Sequence, residues 1–321
     1  MGCSGSKPEQ AAITIDGDDI AKYESAVDDK AAAITAGFVH QHVDVPVESK
    51  YDLSSSTALG KGAYGVVQTC SRGNDTFALK TVVVGMMTPT EVRKLQSEVD
   101  ILRSLDHPHI VRLFETFLDR KEQKLAVVME MLGGGELRTR LMKHGTGFSE
   151  EQTSRFMRSM HSAILYCHNH GVCHRDIKLE NFVFERAGDD AALKLIDFGL
   201  SAVVRKGDEK MEEQVGTVPF MAPELLSAKG GTASYNSACD MWSLGVATYE
   251  LLAGFLKRPY STGPNTRSYA KQLKIIQKQG PPKMPIREPP LSEDATVSRA
   301  AHVPHICLAA CAHRSLARIG S

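Results

Sequence analysis

The sequence predicts an α+β chain folded as two lobes, and three observations predict it. With 321 residues, 42% hydrophobic and 24% charged, the chain can bury a substantial core near the size at which cores divide. Strand signals flank a glycine-rich stretch, with Thr57 and Leu59 before it, Val66, Val67 and Thr69 after it, and Phe77-Ala78-Leu79-Lys80 beyond. Two capping boxes follow, Thr88-Pro89-Thr90-Glu91 and Ser149-Glu150-Glu151-Gln152; in each, a hydroxyl and an acid or amide three residues on satisfy the free N–H groups that open a helix.

The first segment, residues 1–50, begins Met1-Gly2-Cys3-Ser4-Gly5-Ser6. This fits the myristoylation pattern at Gly2, with Cys3 beside it able to carry palmitate. One myristoyl chain binds a membrane only marginally. Four lysines against nine carboxylates leave these 50 residues at −5, which excludes a polybasic second signal. Dual acylation at Gly2 and Cys3 is therefore expected, holding a cytoplasmic protein peripherally on the cytosolic face of a membrane. The remainder is acidic and poor in aromatics, so it reads as a flexible linker. Asp16-Gly17-Asp18-Asp19 fails as a calcium loop, because the sixth and twelfth positions are Ala21 and Val27 where Gly and Glu are needed.

Over the whole chain, 38 basic residues balance 38 acidic ones, so no charge bias points to nucleic acid. Seven scattered cysteines with no export signal fit a reducing compartment. No apolar run reaches the roughly 20 residues of a membrane-spanning helix.

The chemistry begins with Leu59-Gly60-Lys61-Gly62-Ala63-Tyr64-Gly65-Val66-Val67, a GxGxxGxV loop between strands whose backbone can close over phosphates. Lys80 ends the next strand where a phosphate-binding ammonium is needed. In the helix opened by Thr88, Val92, Leu95, Val99 and Leu102 form the apolar stripe. Glu91 is the capping acid, whereas Glu98 falls on the core face and needs a partner, which makes Lys80 to Glu98 the expected ion pair. The helix opened by Ser149 places Phe156, Met160, Ile164 and Cys167 on one face and closes at Gly171. Beyond it, His174-Arg175-Asp176-Ile177-Lys178-Leu179-Glu180-Asn181 and Asp197-Phe198-Gly199 supply the parts of a phosphoryl-transfer site. Asp176 takes or orients a hydroxyl proton, Lys178 neutralises charge on the moving group, and Asn181 and Asp197 hold magnesium.

These motifs, followed in order by Ala222-Pro223-Glu224 and Asp240, resemble the eukaryotic protein kinases from about Tyr51 to about Glu250. Asp197-Phe198-Gly199-Leu200-Ser201 and Ile101-Leu102-Arg103-Ser104-Leu105-Asp106-His107-Pro108 are most similar to the calcium-dependent protein kinases. The resemblance implies a small antiparallel-sheet lobe and hinge at 51–132, a mainly helical large lobe at 133–295, and ATP with Mg2+ between them. It implies an ATP site lined by Leu59, Gly60, Gly62, Gly65, Val67, Ala78, Lys80 and Glu136, with Glu130, Met131 and Leu132 as hinge behind Met129. It also implies a stacked spine of Leu102, Leu113, Phe198 and His174.

Lys178, and Gly216-Thr217 before the Ala222-Pro223-Glu224 motif, imply serine or threonine as acceptor. Glu136, Glu180 and Glu250 stand where basophilic relatives hold substrate arginines, so protein substrates with Arg or Lys two or three residues before the target are expected. Glu213, four residues before Thr217, is placed to pair with Arg175 without phosphorylation. The competing class is a membrane-tethered protein that binds ATP without turnover.

The pattern breaks at Phe255-Leu256-Lys257-Arg258-Pro259, and a tail at 296–321 lacks acids. It offers no arginine in the family context that would pair with Glu224, so a stranded buried acid and an incomplete large lobe are expected. His302, His305, Cys307, Cys311 and His313 match no zinc module. With no EF-hand pattern, direct calcium binding is not expected.

Overall fold

A computed structural model describes residues 40–61, 65–204, 211–228, 234–260 and 268–279. The expectations at Gly2, Cys3 and Gly62, most of the acidic linker, and the tail at 296–321 lie outside the described residues. The small lobe is one six-stranded sheet of β1 (His40–Val43), β2 (Ala58–Lys61), β3 (Gly65–Arg72), β4 (Asp75–Val83), β5 (Leu113–Asp119) and β6 (Lys124–Glu130), in the order β1-β5-β6-β4-β3-β2. Every pairing is antiparallel except β1 on β5. Helix α1 (Pro89–Ser104) carries the complete Thr88–Glu91 capping box and buries Leu95, Val99, Ile101 and Leu102.

The linker reading to Lys50 gives way at His40. The segment 40–50 belongs to the small lobe, because β1 pairs with β5 and a buried acid ties the junction down. Glu115 receives Tyr51 OH at 3.0 Å and Arg72 Nη1 at 2.7 Å, with His42 Nε2 2.8 Å and Lys50 Nζ 3.4 Å from its other oxygen. Burial pushes the Glu115 carboxyl up, but the bonds from His42, Tyr51 and Arg72 outweigh it and hold the group below the usual range. His42 also stacks on Phe117 at 4.5 Å.

The large lobe follows with α2 (Leu137–His144), α3 (Glu150–Asn169), α4 (Pro223–Ser227), α5 (Ala238–Ala253) and α6 (Tyr269–Gln279). Short strands β7 (Val172–Cys173) to β10 (Ala202–Val203) and β8 (Phe182–Phe184) to β9 (Leu193–Leu195) pair antiparallel between them. The Ser149–Gln152 box caps α3, and Phe156, Met160, Ile164 and Cys167 are buried along it. Helix α5 is apolar nearly all round, as a central buried helix must be. Its Ser243 and Thr248 hydroxyls each reach the carbonyl four residues back, of Cys239 and Leu244, and each also has a tertiary partner, the Phe220 carbonyl at 2.8 Å and the Met157 sulfur at 3.0 Å. Among the described residues no helix is long and apolar enough to cross a membrane.

Helix α6, which no sequence pattern marks after the break at Phe255, packs Ile276 fully into the core, and Gln272 Nε2 donates to Tyr260 O at 2.9 Å. Glu224, expected to be buried, is half-buried and is not without a partner.

Candidate active site

The capping box that starts α1 fixes its rotation, which turns Glu98 toward β4. Lys80 Nζ donates to Glu98 Oε1 at 2.7 Å. A cavity of about 320 Å³ lies beside this pair, lined in part by Gly65, Val67, Lys80, Leu95, Glu98 and Gly199. Gly65 is required by packing as well as by the loop: a Cβ there would sit 1.8 Å from the Thr81 carbonyl oxygen. Ala78 is buried on β4, and Leu59 on β2 is exposed. Across the lobes, Met129 and Glu130 end β6, and the Glu130 carboxylate lies 2.8 Å from Lys194 Nζ. Leu132 packs against the main core.

On the large-lobe side, Asp176 is held from both oxygens. Thr217 Oγ1 donates to Oδ1 at 2.7 Å, and Lys178 Nζ donates to Oδ2 at 2.5 Å and to Thr217 Oγ1 at 3.1 Å. Asn181 Nδ2 donates to the Asp176 carbonyl at 2.9 Å. Burial pushes the Asp176 carboxyl up, but the bonds from Lys178 and Thr217 and the lysine charge hold it below the usual carboxylate range. Asp197 is exposed, with Oδ1 accepting from Gly199 N at 3.2 Å.

Arg175 and Asp197 adopt left-handed backbone conformations, φ 67° and 65°, which cost energy for non-glycine residues. The first is imposed by Asp240, which is fully buried at the start of α5. Its two oxygens accept from the backbone N–H of His174 at 2.8 Å and of Arg175 at 2.7 Å, and His168 Nε2 lies 2.8 Å away. His174 is buried with its ring edge-on to Phe198 at 5.0 Å, and Leu102 and Leu113 share the same core. Arg175 is thereby aimed at the segment before Thr217. Its guanidinium donates to Leu200 O at 2.6 Å, to Glu213 Oε2 at 3.1 Å and to Tyr235 OH at 3.3 Å. Gly216, at φ 117°, lets the chain pass the Arg175 carbonyl, which a Cβ would approach to 2.6 Å.

This arrangement has a recognisable counterpart: the protein kinase domain family matches residues 53–304. The chain belongs to the protein kinase family. This kinase is 34% identical over 228 residues to calcium-dependent protein kinase 5 of Plasmodium berghei, covering 71% of the chain and 38% of that protein. It is 38% identical over 217 residues to calcium/calmodulin-dependent serine/threonine-protein kinase 1 of Oryza sativa subsp. japonica, covering 66% of the chain and 34% of that protein. It is 38% identical over 212 residues to calcium-dependent protein kinase 32 of Arabidopsis thaliana, covering 65% and 37%. The chain thus spans little more than a third of the length of these relatives. The family match also runs into the tail that begins at 296.

The kinase departs from expectation at the acids assigned to substrate. Glu136, the residue before α2, is exposed, and its carboxylate accepts from Thr139 Oγ1 at 3.4 Å. Glu250 is 1% exposed, accepts from Leu256 N at 3.0 Å, and pairs with Arg258 Nε at 3.1 Å. Glu180 lies 3.0 Å from Arg138 Nε. Glu180 and Glu250, expected at positions that hold substrate arginines, thus each face an arginine of the chain itself. Arg258 lies eight residues past Glu250 across a turn at Gly254 whose φ is 109°, and no periodic pattern in the sequence links the two. Tyr235, whose OH also donates to the Glu213 carbonyl at 2.7 Å, carried no sequence signal either.

Proposed function

We propose that this kinase transfers the terminal phosphate of ATP, with magnesium, to serine or threonine hydroxyls of proteins. The observation that carries this reading is the Asp176–Lys178–Thr217 cluster on the large lobe, together with a Lys80–Glu98 ion pair beside a cavity that Gly199 also lines. A hydroxyl entering beside Asp176 meets an ionised carboxylate able to take its proton, with the Lys178 ammonium adjacent to neutralise a phosphoryl oxygen. Lys80, oriented by Glu98, is the ammonium for the phosphates of ATP. Leu59, Gly60, Gly65, Val67 and Ala78 cover the nucleotide from the small lobe, with Met129, Glu130 and Leu132 at the hinge. The donor set fits magnesium: Asp197 offers an exposed carboxylate, and because the Asn181 amide nitrogen is committed to Asp176, its oxygen is the atom for a cation. Magnesium, when bound, neutralises phosphate charge. Glu136 is the acid that reads a basic residue ahead of the target. The test is a thermal shift with magnesium and ATP run beside transfer to Ser/Thr peptides. Stabilisation with transfer supports the reading; stabilisation without transfer would make this an ATP-binding protein without turnover.

Arg175 meets an acid already present in the chain, so activity should not await phosphorylation of the segment. Unphosphorylated recombinant protein is expected to be active, and Glu213→Gln to lose about two- to fivefold, since an ion pair with one exposed partner contributes at most about 1 kcal/mol; Glu213 is 62% exposed. Intact-mass analysis with a peptide assay checks this, and a protein silent until phosphorylated would refute it.

Attachment to membranes through Gly2 and Cys3 belongs to the same proposal. In cells, Gly2→Ala should move the protein from the membrane fraction to the soluble fraction. Equal partition of the two forms would remove acylation from the account.

A further inference from the structure

Two acids on the large lobe, Glu180 beside Asn181 and Glu250 on α5, lie close enough for Glu180 to push the Glu250 carboxyl up, beneath the larger effect of burial. Each already meets an arginine of the chain itself. Arg258 Nε is 3.1 Å from Glu250 Oε2 and its guanidinium lies 4.8 Å from the Phe220 ring centroid, three residues past Thr217. Arg138 Nε is 3.0 Å from Glu180 Oε1 and its guanidinium lies 4.9 Å from the ring centroid of Phe255. Phe255 begins the turn that carries Arg258. The two pairs are therefore one assembly, held by the turn that follows α5 and set against the segment leading from Thr217. The Arg258 side chain is 11% exposed and the Glu250 side chain 1%, so this is a filled site and not a solvated surface pair.

We infer that Arg258 occupies from within the subsite that a substrate arginine would take, so that the enzyme reads a basic residue through Glu136 alone and does not select a second one. This rests on the kinase reading above and names the substrate class for that site: proteins with one basic residue ahead of the target hydroxyl. Removing the Arg258 guanidinium would leave Glu250 Oε2 without its arginine partner, near Glu180, whose Oε2 has no hydrogen-bond partner among the described residues. An incoming guanidinium would restore the missing charge-assisted bonds.

The test compares peptides carrying Arg at one or at both of the positions two and three residues before a Ser or Thr, using the full chain. Wild type should turn over one-arginine and two-arginine peptides alike. Arg258→Met, which keeps the aliphatic bulk, should prefer the two-arginine peptide by about tenfold in kcat/KM, the size of one charge-assisted hydrogen bond. Arg258→Lys, which keeps the charge, should behave as wild type. A wild type that already prefers the second arginine overturns the inference, whether or not Arg258→Met folds, and so does an unchanged profile in a folded Arg258→Met. No transfer to any peptide by wild type would instead overturn the kinase reading, and this inference with it.

Discussion

Asp176→Asn is expected to lower phosphoryl transfer about a hundred- to ten-thousand-fold, the range ascribed to a positioned proton acceptor, while stabilisation by magnesium and ATP persists. Asparagine has the shape of the aspartate and can still accept the Thr217 hydroxyl, which now bonds Oδ1 at 2.7 Å. It cannot accept a proton, and it leaves the Lys178 ammonium, now 2.5 Å from Oδ2, without its counter-charge. Since Lys178 and Thr217 hold the carboxyl below its usual range against the effect of burial, the wild-type group is ionised throughout the neutral range. The pH profile of wild-type turnover should accordingly show no inflection there from Asp176. Peptide kinetics and thermal shift on the same preparations separate lost chemistry from lost binding, and a variant with wild-type turnover would remove Asp176 from the role.

Asp240→Ala should act on the fold itself. The substitution strands the N–H groups of His174 and Arg175, each at about 1–3 kcal/mol, and releases the constraint behind the Arg175 φ of 67°. A loss of about 3–5 kcal/mol follows, or on the order of 10 °C in Tm for a domain of this size.

The same locus sets an acid response. Burial pushes the Asp240 carboxyl up, but the bond and charge of His168, with the charge and N–H of His174, hold it below the usual range. Its contribution is complete above the unfolded carboxylate value and disappears as pH falls through the lowered folded value. Burial also lowers His174, so its contribution is complete above about 6.5 and is lost as pH falls from there toward the folded value. Wild-type Tm should therefore fall in two stages on acidification. In Asp240→Ala the later, carboxylate stage should shrink; calorimetry across pH reads both, and an unchanged later stage would refute the assignment.

How far the sequence could be read depended on the range of the interaction. The Thr88 and Ser149 capping boxes are local, and helix rotation carried the argument from them to the Lys80–Glu98 pair. The small-lobe strands were legible from alternation beside turn residues. The strand at 40–43 was not, because four residues carry no period and its pairing is with a strand some 75 positions later, beside an acid whose four partners come from three separate stretches of chain. Helix α6 was missed where the sequence departs from the resemblance at Phe255. The arginines facing the acids at 180 and 250, Arg138 and Arg258, are brought there by folding rather than by spacing, so no sequence pattern announces them.

The parallel strand at the small-lobe margin bears on which sheet edge is left open. Without β1, the hydrogen-bonding groups of β5 would face outward as a template for another polypeptide. Residues 40–43 cover that margin, and the Glu115 junction fastens the cover. A fragment cut at Tyr51, where the catalytic motifs begin, would lose this guard and leave the β5 border open to another strand.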